Sequence, residues 1–465
     1  MPLLRVRSAP QMACGVETRA FTHKRRIART RDSDKLEMKQ DSLRTVDGWA
    51  VAWRTIILAW RFTAYAMGAI AGLCSLADLV AAMGPMCVKL AQAATTRPDL
   101  FRRDLVEALW PLQDRVPPQH VDDLPHGCAL LASGSIAQIY SYDDPDNCTM
   151  EPRPVDFDNG DGHYSESLVI KIKRPGVDQC AAVDHAILSW LFATCVGRAI
   201  VGLVCKRPLV CDAIEHLVES MHEAIHQHLD FEAEADNMER MGSLFPRNSK
   251  STVIVPRVVR RLCTRDRLVM ERIEGGVPIA GLPSAAARAA AADLVVRAVC
   301  EMVFKHGFLH GDVHEGNVLA LPADTDEPDA RVRLALLDMG IVYCMTDEQR
   351  RLVGMLVRAA ATRNADLLAS NVYVNSTARS APYASFCRDV ADAIERGRCG
   401  SDLGALLDGL VAACSRNRVP IERSMVGVMA ALVAADGIAR RYKASSLTTI
   451  AWLLCCCDLD TRPAA

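Results

Sequence analysis

The segment Gly-Phe-Leu-His-Gly-Asp-Val-His-Glu-Gly-Asn at 307–317, followed by Leu-Leu-Asp-Met-Gly at 336–340, decides how the rest of the chain is interpreted. It places a carboxylate, Asp312, five residues before an amide, Asn317, and adds a second carboxylate, Asp338, after an apolar run. Carboxylate and amide oxygens are hard ligands of the kind that Mg²⁺ prefers in proteins. The two segments therefore predict a magnesium site with one further carboxylate near a reacting group.

The spacing of these residues also matches a known catalytic pattern. Asp312 and Asn317 have the D-x-x-x-x-N spacing of a kinase catalytic loop, and Asp-Met-Gly at 338–340 stands where kinases carry the metal-binding Asp-Phe-Gly. An alternative is a metal cluster of His310, His314 and Asp312, although no other histidine or cysteine lies at matching spacing.

A lysine and a glutamate supply the remaining charges that phosphoryl transfer needs. Lys171 lies in Val-Ile-Lys-Ile-Lys, where strand alternation turns it away from its isoleucine neighbours. Apolar residues recur at helical spacing from 212 to 241, and Glu234 lies close to that stripe. A core-facing acid is costly unless it is paired, so Glu234 predicts a cationic partner, for which Lys171 is the candidate.

A run of small residues, Ala-Ser-Gly-Ser-Ile-Ala-Gln at 132–138, leads into a β-like segment. Small side chains would let backbone N–H groups approach phosphate oxygens. Taken alone, this segment is better explained by a tight turn without a ligand.

Composition limits the classes of function. Half of the 465 residues are apolar, and the formal charge is 54 − 56 = −2, which indicates a globular chain and gives no general case for a nucleic-acid partner. The 18 cysteines are scattered without C-x-x-C spacing, which favours reduced thiols in an intracellular protein.

The N-terminal part carries two features that concern targeting and membranes. Residues 1–31 hold eight Lys or Arg against the single acid Glu17, and a mitochondrial presequence and a disordered basic arm both stay open. The longest apolar stretch, 62–76, has about 15 residues, whereas a membrane span needs about 20. It predicts a buried or surface-lying helix.

The pattern of segments predicts four regions. These are a basic arm or targeting segment at 1–48, a helical extension at 49–120, a mixed region at 121–275 that contains an acidic loop at 143–166, and a helical region at 276–465. Thr346 and Gln349 form a capping-box pattern that starts a helix and leaves about five residues after Gly340. Protein kinases place a long loop with an Ala-Pro-Glu anchor there, which this chain lacks.

With these motifs in order, the chain resembles the UbiB/ADCK (aarF-domain-containing) family of atypical protein-kinase-like proteins over most of residues 80–350. Lys-Leu-Ala-Gln at 89–92 is similar to the family's Lys-x-Gly-Gln motif. The other matching segments are Thr-Arg-Pro-Asp-Leu at 96–100, Leu-Gln-Asp-Arg-Val-Pro at 112–117, the small-residue loop at 132–138, Lys-Arg-Pro-Gly at 173–176 beside Lys171, Glu-Ala-Asp-Asn at 234–237, and Val-Met-Glu-Arg-Ile-Glu-Gly at 269–275.

The resemblance implies an α+β fold: a bilobal protein-kinase-like fold with a small α/β N-lobe, a helical C-lobe and an N-terminal helical extension packed over a nucleotide site. It implies ATP and Mg²⁺ as ligands. The implied roles are catalytic for Asp312, Lys171 and Glu234, nucleotide-binding for Ala132, Ser133, Gly134, Ser135, Lys171, Met270 and Glu271, metal-binding for Asn317 and Asp338, and regulatory or occluding for Lys89, Gln92 and Asp230.

Three positions depart from the family pattern. Ala91 replaces the motif glycine, and Gly134 replaces an alanine, which would ease the approach of backbone to phosphate. His228-Leu229-Asp230 replaces Glu-x-Asp, so Lys89 has lost a possible counter-charge; for His228 a buried core histidine is favoured over a catalytic one.

The short segment after Gly340 and the family resemblance favour a lipid, isoprenoid or other small-molecule phosphoryl acceptor, or hydrolysis of ATP. The resemblance further implies support of quinone or isoprenoid-lipid metabolism with peripheral contact to a membrane. A protein serine/threonine kinase and a catalytically silent nucleotide-binding scaffold stay open as alternatives. The sequence does not determine an oligomeric state, and either an intracellular or an organellar location is compatible with it.

Overall fold

The structure is a computed structural model that describes residues 48–95, 103–113, 127–142, 167–193, 226–247, 251–321, 332–376, 382–396, 403–419 and 423–445, with positions 116, 118–121 and 124–125. The basic segment 1–31 and the acidic loop 143–166 lie outside the described residues. The chain divides into two compact units, of which one comprises 1–110 with 178–218 and the other 111–177 with 219–465. The four predicted region boundaries stay predictions.

The first unit is built from helices. Their bounds are α1 Gly48–Ile70, α2 Leu76–Met83, α3 Pro85–Thr95, α4 Arg103–Leu109 and, beginning at the unit boundary, α5 Val177–Ala193. The predicted interruption at Gly84-Pro85 is confirmed, because proline is well placed at the first position of a helix but not inside one. Among the described helices, none combines the length and apolar content that crossing a bilayer requires.

A largely buried ion pair links α1 with α5 in the first unit. Arg54 of α1 donates from Nε to Asp184 Oδ1 at 2.8 Å and from its second nitrogen to Asp184 Oδ2 at 3.1 Å. The same guanidinium donates to the carbonyl of Met83 at 3.2 Å. A Cβ on Gly84 would lie 2.5 Å from this guanidinium, and its φ is 116°, so the position requires glycine.

The second unit begins with a four-stranded antiparallel sheet in the order β1-β2-β3-β5. The strands are β1 Cys128–Ser133, β2 Ala137–Tyr142, β3 Leu168–Lys173 and β5 Arg267–Glu271. Ile170 and Ile172 pack in an apolar cluster on one face of this sheet. Lys171 therefore points to the opposite face, where α6 (Phe231–Leu244) lies.

The predicted continuous helix from 212 to 241 is wrong at one point. Helix α6 begins only at Phe231, because Asp230 adopts an extended conformation and its carboxylate accepts a hydrogen bond from the N–H of Ala233 at 3.1 Å. An aspartate that caps the following residues competes with helix continuation. Residues 212–225 lie outside the described residues.

The remainder of the second unit is mainly helical, as predicted, but short strands flank the loops that contain Asp312 and Asp338. Helix α7 (Ala285–Cys300) continues into a π-helical segment at Glu301–His306. The strands are β4 Val253–Ile254, β6 Val277–Pro278, β7 Phe308–His310, β8 Val318–Leu321, β9 Arg333–Leu336 and β10 Val342–Cys344. The helices that follow are α8 Asp347–Ala361, α9 Ala365–Val374, α10 Tyr383–Arg396, α11 Leu403–Arg416 and α12 Arg423–Arg441.

These strands form two small sheets. One pairs β7 with β10, and the other has the order β4-β9-β8-β6, in which only β4 and β9 run parallel. A continuous apolar core extends from the N-lobe sheet through α7 to the C-terminal helices. A small α/β lobe joined to a larger helical lobe confirms the predicted α+β, bilobal kinase-like fold.

Candidate functional site

A buried ion pair joins the N-lobe sheet to α6. Lys171 Nζ lies 2.8 Å from Oε1 and 2.9 Å from Oε2 of Glu234. The lysine side chain is 7% exposed and the glutamate 1%. The ring of Phe231 lies 5.2 Å from Lys171 Nζ and 5.9 Å from Lys173 Nζ, so both lysines share one face of the strand. The predicted partnership of Lys171 with Glu234 is present.

The same ammonium also contacts Asp338, whose Oδ2 lies 3.0 Å from Lys171 Nζ. Burial alone lowers the pKa of Lys171, but the carboxylates of Asp338 and Glu234 outweigh it and raise the pKa. The lysine therefore stays protonated, as a group that binds phosphate must. Three predicted residues, far apart in the chain, meet around one nitrogen atom.

The backbone at Asp338 is unusual. Its φ is 55°, in the left-handed region that non-glycine residues rarely adopt. Its Oδ1 accepts a hydrogen bond from the N–H of Gly340 at 3.2 Å, and Asn237 Nδ2 of α6 donates to the carbonyl of Met339 at 3.0 Å. These contacts hold the turn in a conformation that it would not adopt alone.

His310 connects the catalytic loop with the strand that leads to Asp338. Its Nδ1 accepts from the N–H of Asp312 at 3.2 Å, and its Nε2 lies 3.0 Å from the carbonyl of Leu337, which makes Nε2 the protonated nitrogen. Burial lowers the pKa of His310, so the ring is neutral. Because both nitrogens bond to backbone, the alternative of a histidine-based metal cluster is disfavoured.

Asn317 is held at the end of the same loop. Its Nδ2 donates to the carbonyl of Asp312 at 3.0 Å, and the N–H of Leu337 donates to the carbonyl of Asn317 at 2.8 Å. The amide nitrogen is thus committed to backbone, which leaves its Oδ1 for other partners. An amide oxygen and the Asp338 carboxylate are hard donors that fit Mg²⁺.

His228 lies between the two carboxylates of the site. Its Nδ1 is 3.6 Å from Asp338 Oδ1, and its Nε2 is 3.9 Å from Asp312 Oδ2. The residue is buried, as predicted for a core histidine, but its ring faces the site. A Cβ on Gly340 would lie 2.5 Å from His228 Nδ1, so the ring occupies the space that this glycine leaves open. His228 therefore lies closer to the carboxylates of the site than a core histidine was predicted to lie.

The small-residue loop follows β1 and forms a tight turn. The N–H of Gly134 donates to the carbonyl of Ala137 at 2.9 Å. A Cβ on Gly134 would make only an ordinary contact, at 3.4 Å with that same carbonyl, so the fold does not require glycine at this departure. Arg174 donates from its guanidinium to Ser133 Oγ at 2.7 Å. The loop residues Ala132, Ser133, Gly134 and Ser135 therefore have a basic group beside them.

The hinge candidates Met270 and Glu271 end strand β5. Both oxygens of Glu271 accept hydrogen bonds from Arg247, at 2.9 and 2.7 Å, so this carboxylate is occupied structurally. Lys89 and Gln92 lie on α3 of the first unit, and Asp230 is the N-cap of α6 in the second. That the helix with Lys89 covers the nucleotide site stays a prediction.

Two further contacts were not predicted from the sequence. The first is the hydrogen bond from Asn237 Nδ2 to the carbonyl of Met339. Because Asn237 lies three residues after Glu234, helical spacing could have placed it on the same side of α6. Glu315 in the catalytic loop accepts from Tyr442 Oη at 2.9 Å and pairs with Arg441 at 3.0 Å, at the end of α12. No local pattern in the sequence indicates this contact.

The site and fold define an atypical kinase-like protein. Residues 159–372 match the ABC1 atypical kinase-like domain. The chain is 27% identical over 376 residues to the probable protein kinase UbiB of Pseudomonas putida strain W619, covering 77% of this chain and 66% of that protein. These matches agree with the resemblance to the UbiB/ADCK family that the sequence motifs carry.

Two more distant proteins are also similar. The Arabidopsis thaliana protein Activity of BC1 complex kinase 3, chloroplastic, is 26% identical over 296 residues, which cover 63% of this chain and 39% of that protein. The Mycobacterium tuberculosis protein in a complex of Rv3197 with erythromycin has a TM-score of 0.43 and 19% identity, over 69% of this chain and 75% of that one.

Proposed function

We propose that the protein binds ATP with Mg²⁺ and transfers the γ-phosphoryl group to a small-molecule or lipid hydroxyl, or to water. The observation that supports this most strongly is the convergence of Lys171, Glu234 and Asp338, with contacts of 2.8 and 3.0 Å from one buried ammonium. Kinase-type sites hold the phosphates and the metal with a lysine, a glutamate and an aspartate of this kind.

Each residue has a distinct role in the proposed reaction. Lys171 binds the α- and β-phosphates, and Glu234 orients it. Asp312 accepts the proton of the acceptor hydroxyl. At the same time the oxygen of that hydroxyl forms the new bond to phosphorus, and the bond between phosphorus and the ADP oxygen breaks. Asn317 and Asp338 would hold Mg²⁺, which neutralises charge on the phosphates when bound.

The form of the segment after Gly340 supports an acceptor that is not a protein. Helix α8 has Thr346 as its N-cap, so 341–345 alone connect it to Gly340. Within that connection β10 pairs with β7, and the N–H of Gly311 donates to the carbonyl of Ile341 at 2.8 Å. A segment bound in this way offers no extended loop for docking a peptide. A quinone precursor or another isoprenoid lipid is the acceptor class that we propose.

Nucleotide binding is tested first by thermal stability, because a ligand that binds only the folded chain must raise it. At a hundredfold excess over the dissociation constant, Mg·ATP should stabilise the wild type by about 2.7 kcal/mol. Glu234→Gln should lose most of this stabilisation. Asp236→Asn, on the exposed side of the same helix, is the matched control and should keep it.

Turnover is tested by formation of ADP with and without quinone precursors, because both transfer to a hydroxyl and hydrolysis produce ADP. Asp312→Ala should still gain stability from Mg·ATP but lose turnover, since Asp312 acts on the acceptor. ATP binding without turnover in the wild type would support the nucleotide-binding scaffold instead, and transfer to a peptide would support a protein kinase. A wild type whose stability Mg·ATP does not change would contradict all three.

A further inference from the structure

His228 is a buried imidazole between the two carboxylates of the candidate site. Its Nδ1 lies 3.6 Å from Asp338 Oδ1, and its Nε2 lies 3.9 Å from Asp312 Oδ2. The side chain is only 7% exposed. The phosphoryl transfer proposed above gives this ring no role, although the ring lies beside both acidic groups.

The surroundings of His228 fix the position of the ring. Leu229, the next residue, is 3% exposed. Phe231 is completely buried, and its N–H donates to the carbonyl of Arg265 at 3.3 Å. On the opposite side, a Cβ on Gly340 would lie 2.5 Å from His228 Nδ1. Buried anchors on its own segment and a glycine facing it therefore hold the imidazole at the carboxylates.

The spacing of the ring from Asp338 suits a cation that both groups bind. Two ligands that each lie about 2.1 Å from one ion are about 3.0 Å apart at a right angle and at most about 4.2 Å apart. The 3.6 Å between His228 Nδ1 and Asp338 Oδ1 falls within this interval, and it is longer than a hydrogen bond between such atoms. One ion can thus contact both atoms where they lie.

The histidines of the catalytic loop are bound differently. Both ring nitrogens of His310 bond to backbone groups. Nδ1 of His314 accepts from the N–H of Gly316 at 3.0 Å, and the His314 side chain is 54% exposed. Of these three rings, that of His228 is the one that combines burial with a nitrogen facing the carboxylate of Asp338.

We propose that His228 is a further ligand of the metal ion that accompanies the nucleotide, and that it makes the site prefer a divalent transition-metal ion to Mg²⁺. This inference rests on the proposed nucleotide site, in which Asn317 and Asp338 supply oxygen ligands. Imidazole nitrogen suits transition-metal ions, whereas Mg²⁺ is bound through oxygen. A carboxylate at this position would add a third negative charge beside Asp312 and Asp338, whereas histidine supplies a ligand without it.

The first experiment measures metal preference on the full chain in the presence of ADP. Mn²⁺ is the probe, because it accepts the octahedral oxygen ligands that suit Mg²⁺ and is visible by EPR. Its dissociation constant is measured by EPR, and that of Mg²⁺ by competition against it. His228→Glu should lower the preference for Mn²⁺ over Mg²⁺ by about tenfold or more, because it offers oxygen in place of nitrogen. His314→Gln removes an exposed imidazole of the catalytic loop and is the matched control, which should keep the wild-type preference.

The second experiment detects the bond itself. Pulsed EPR of Mn²⁺ bound with ADP should show a magnetic coupling to a nitrogen nucleus in the wild type and in His314→Gln, but not in His228→Glu. Labelling the histidines of the protein with ¹⁵N must change this coupling, which separates an imidazole ligand from the adenine of the nucleotide.

The outcomes distinguish this inference from the proposed function. A histidine coupling that disappears in His228→Glu, together with the reduced preference, supports the inference. Binding of Mn²⁺ with ADP but without a histidine coupling, a coupling that His228→Glu retains or that His314→Gln removes, or an unchanged preference would overturn it and leave the nucleotide site in place. A wild type that binds ADP with neither metal would overturn both. His228→Asn repeats both measurements should the glutamate variant fail to fold.

Discussion

Each oxygen of the Asp338 carboxylate has its own contacts. One oxygen lies 3.0 Å from Lys171 Nζ, while the other accepts from Gly340 and lies 3.6 Å from His228 Nδ1. A bound metal ion would draw on the same oxygens, and a bound phosphate on the same ammonium. Loading the site must therefore replace part of the Lys171–Asp338 contact, and the ion pair keeps the charges compensated until that happens.

The first prediction concerns the buried charges. Lys171→Met should destabilise the second unit by about 3–5 kcal/mol, because it leaves the carboxylate of Glu234 buried without a cation. Adding Glu234→Leu to this variant should recover a large part of the loss, since the most deeply buried carboxylate is then removed and Asp338, at 27% exposure, can be solvated. Urea unfolding of the single and double variants measures the coupling.

Lys173→Met is the control for this cycle. Lys173 pairs with Asp266, which is 72% exposed and can be solvated on its own. We expect a much smaller loss there. Equal losses for the two lysine variants would show that the charge of Glu234 is not the reason for the instability.

The second prediction concerns pH. Burial lowers the pKa of His310 below its ordinary value of 6.5, so the unfolded chain binds a proton that the folded chain does not. This difference leaves the free energy of unfolding unchanged above about pH 6.5. Below that pH it lowers the free energy of unfolding by up to about 1.4 kcal/mol per pH unit. His310→Gln can keep the bond to the Leu337 carbonyl and should lose this part of the acid sensitivity. Thermal melts from pH 8 to 5 would reveal an unchanged pH slope if the idea is incorrect.

At the scale of secondary-structure elements, the end of α12 supports the catalytic loop. Tyr442 and Arg441 both bind the carboxylate of Glu315, and the backbone N–H of Ser445 donates to Asp293 of α7 at 2.7 Å. The last described helix is therefore fastened both to the loop that carries Asp312 and to the helix beneath it. Through these contacts α12 positions a loop more than a hundred residues earlier in the chain.

The third prediction tests this support. Tyr442→Phe removes one hydrogen bond and should cost about 0.5–1.5 kcal/mol locally. Amide hydrogen exchange in 311–317 should speed up, by about two- to tenfold, with little change in global unfolding. Tyr373→Phe, on α9, is the matched control. Exchange that is equal in both variants would remove the supporting role of α12.

Helix α1 has one face that packs against its unit and one face that is exposed. Its Arg54 is fixed by Asp184, while its tryptophans remain exposed. One element thus contributes both to the stability of its unit and to an exposed apolar surface. Substitutions on the two faces should separate these contributions, because they lie on opposite sides of the helix.

At the scale of the whole molecule, the reactivity of the cysteines depends on whether the chain is folded. Cys344 and Cys414 are both free thiols. Cys414 on α11 is buried, and burial raises its pKa to about 12, whereas Cys344 at the end of β10 is exposed. Thiolate is the reactive form, so burial and the raised pKa both protect Cys414.

The fourth prediction follows from this difference. Under native conditions at pH 8 a maleimide should modify Cys344 within minutes and leave Cys414 unmodified for at least a hundredfold longer. In denaturant the two should react at similar rates, because the unfolded chain exposes both. Peptide mass spectrometry distinguishes the sites. Rapid native labelling of Cys414 would mean that the C-terminal helices open locally rather than with the whole unit.

Much of the site followed from short-range patterns. The alternation around Lys171, the spacing from Asp312 to Asn317 and the capping box at Thr346 depend on residues within a few positions of one another. Such patterns report strand, loop and helix start directly, because hydrogen bonds and side-chain direction repeat over two to four residues. The unpaired acid on a helix stripe also predicted its partner correctly, since burying Glu234 alone would be too costly.

The sequence by itself therefore determined the kinase-like class, the identity of its charged residues and the pairing of Lys171 with Glu234. Only the tertiary structure decided that Asp338 shares that lysine, that His228 faces two carboxylates, that Tyr442 holds Glu315, and that the tryptophans of α1 stay exposed. The physical reason is that these features depend on which surfaces meet in space. Side-chain chemistry and local periodicity determine which kind of partner an element requires, whereas tertiary packing determines which residues it contacts.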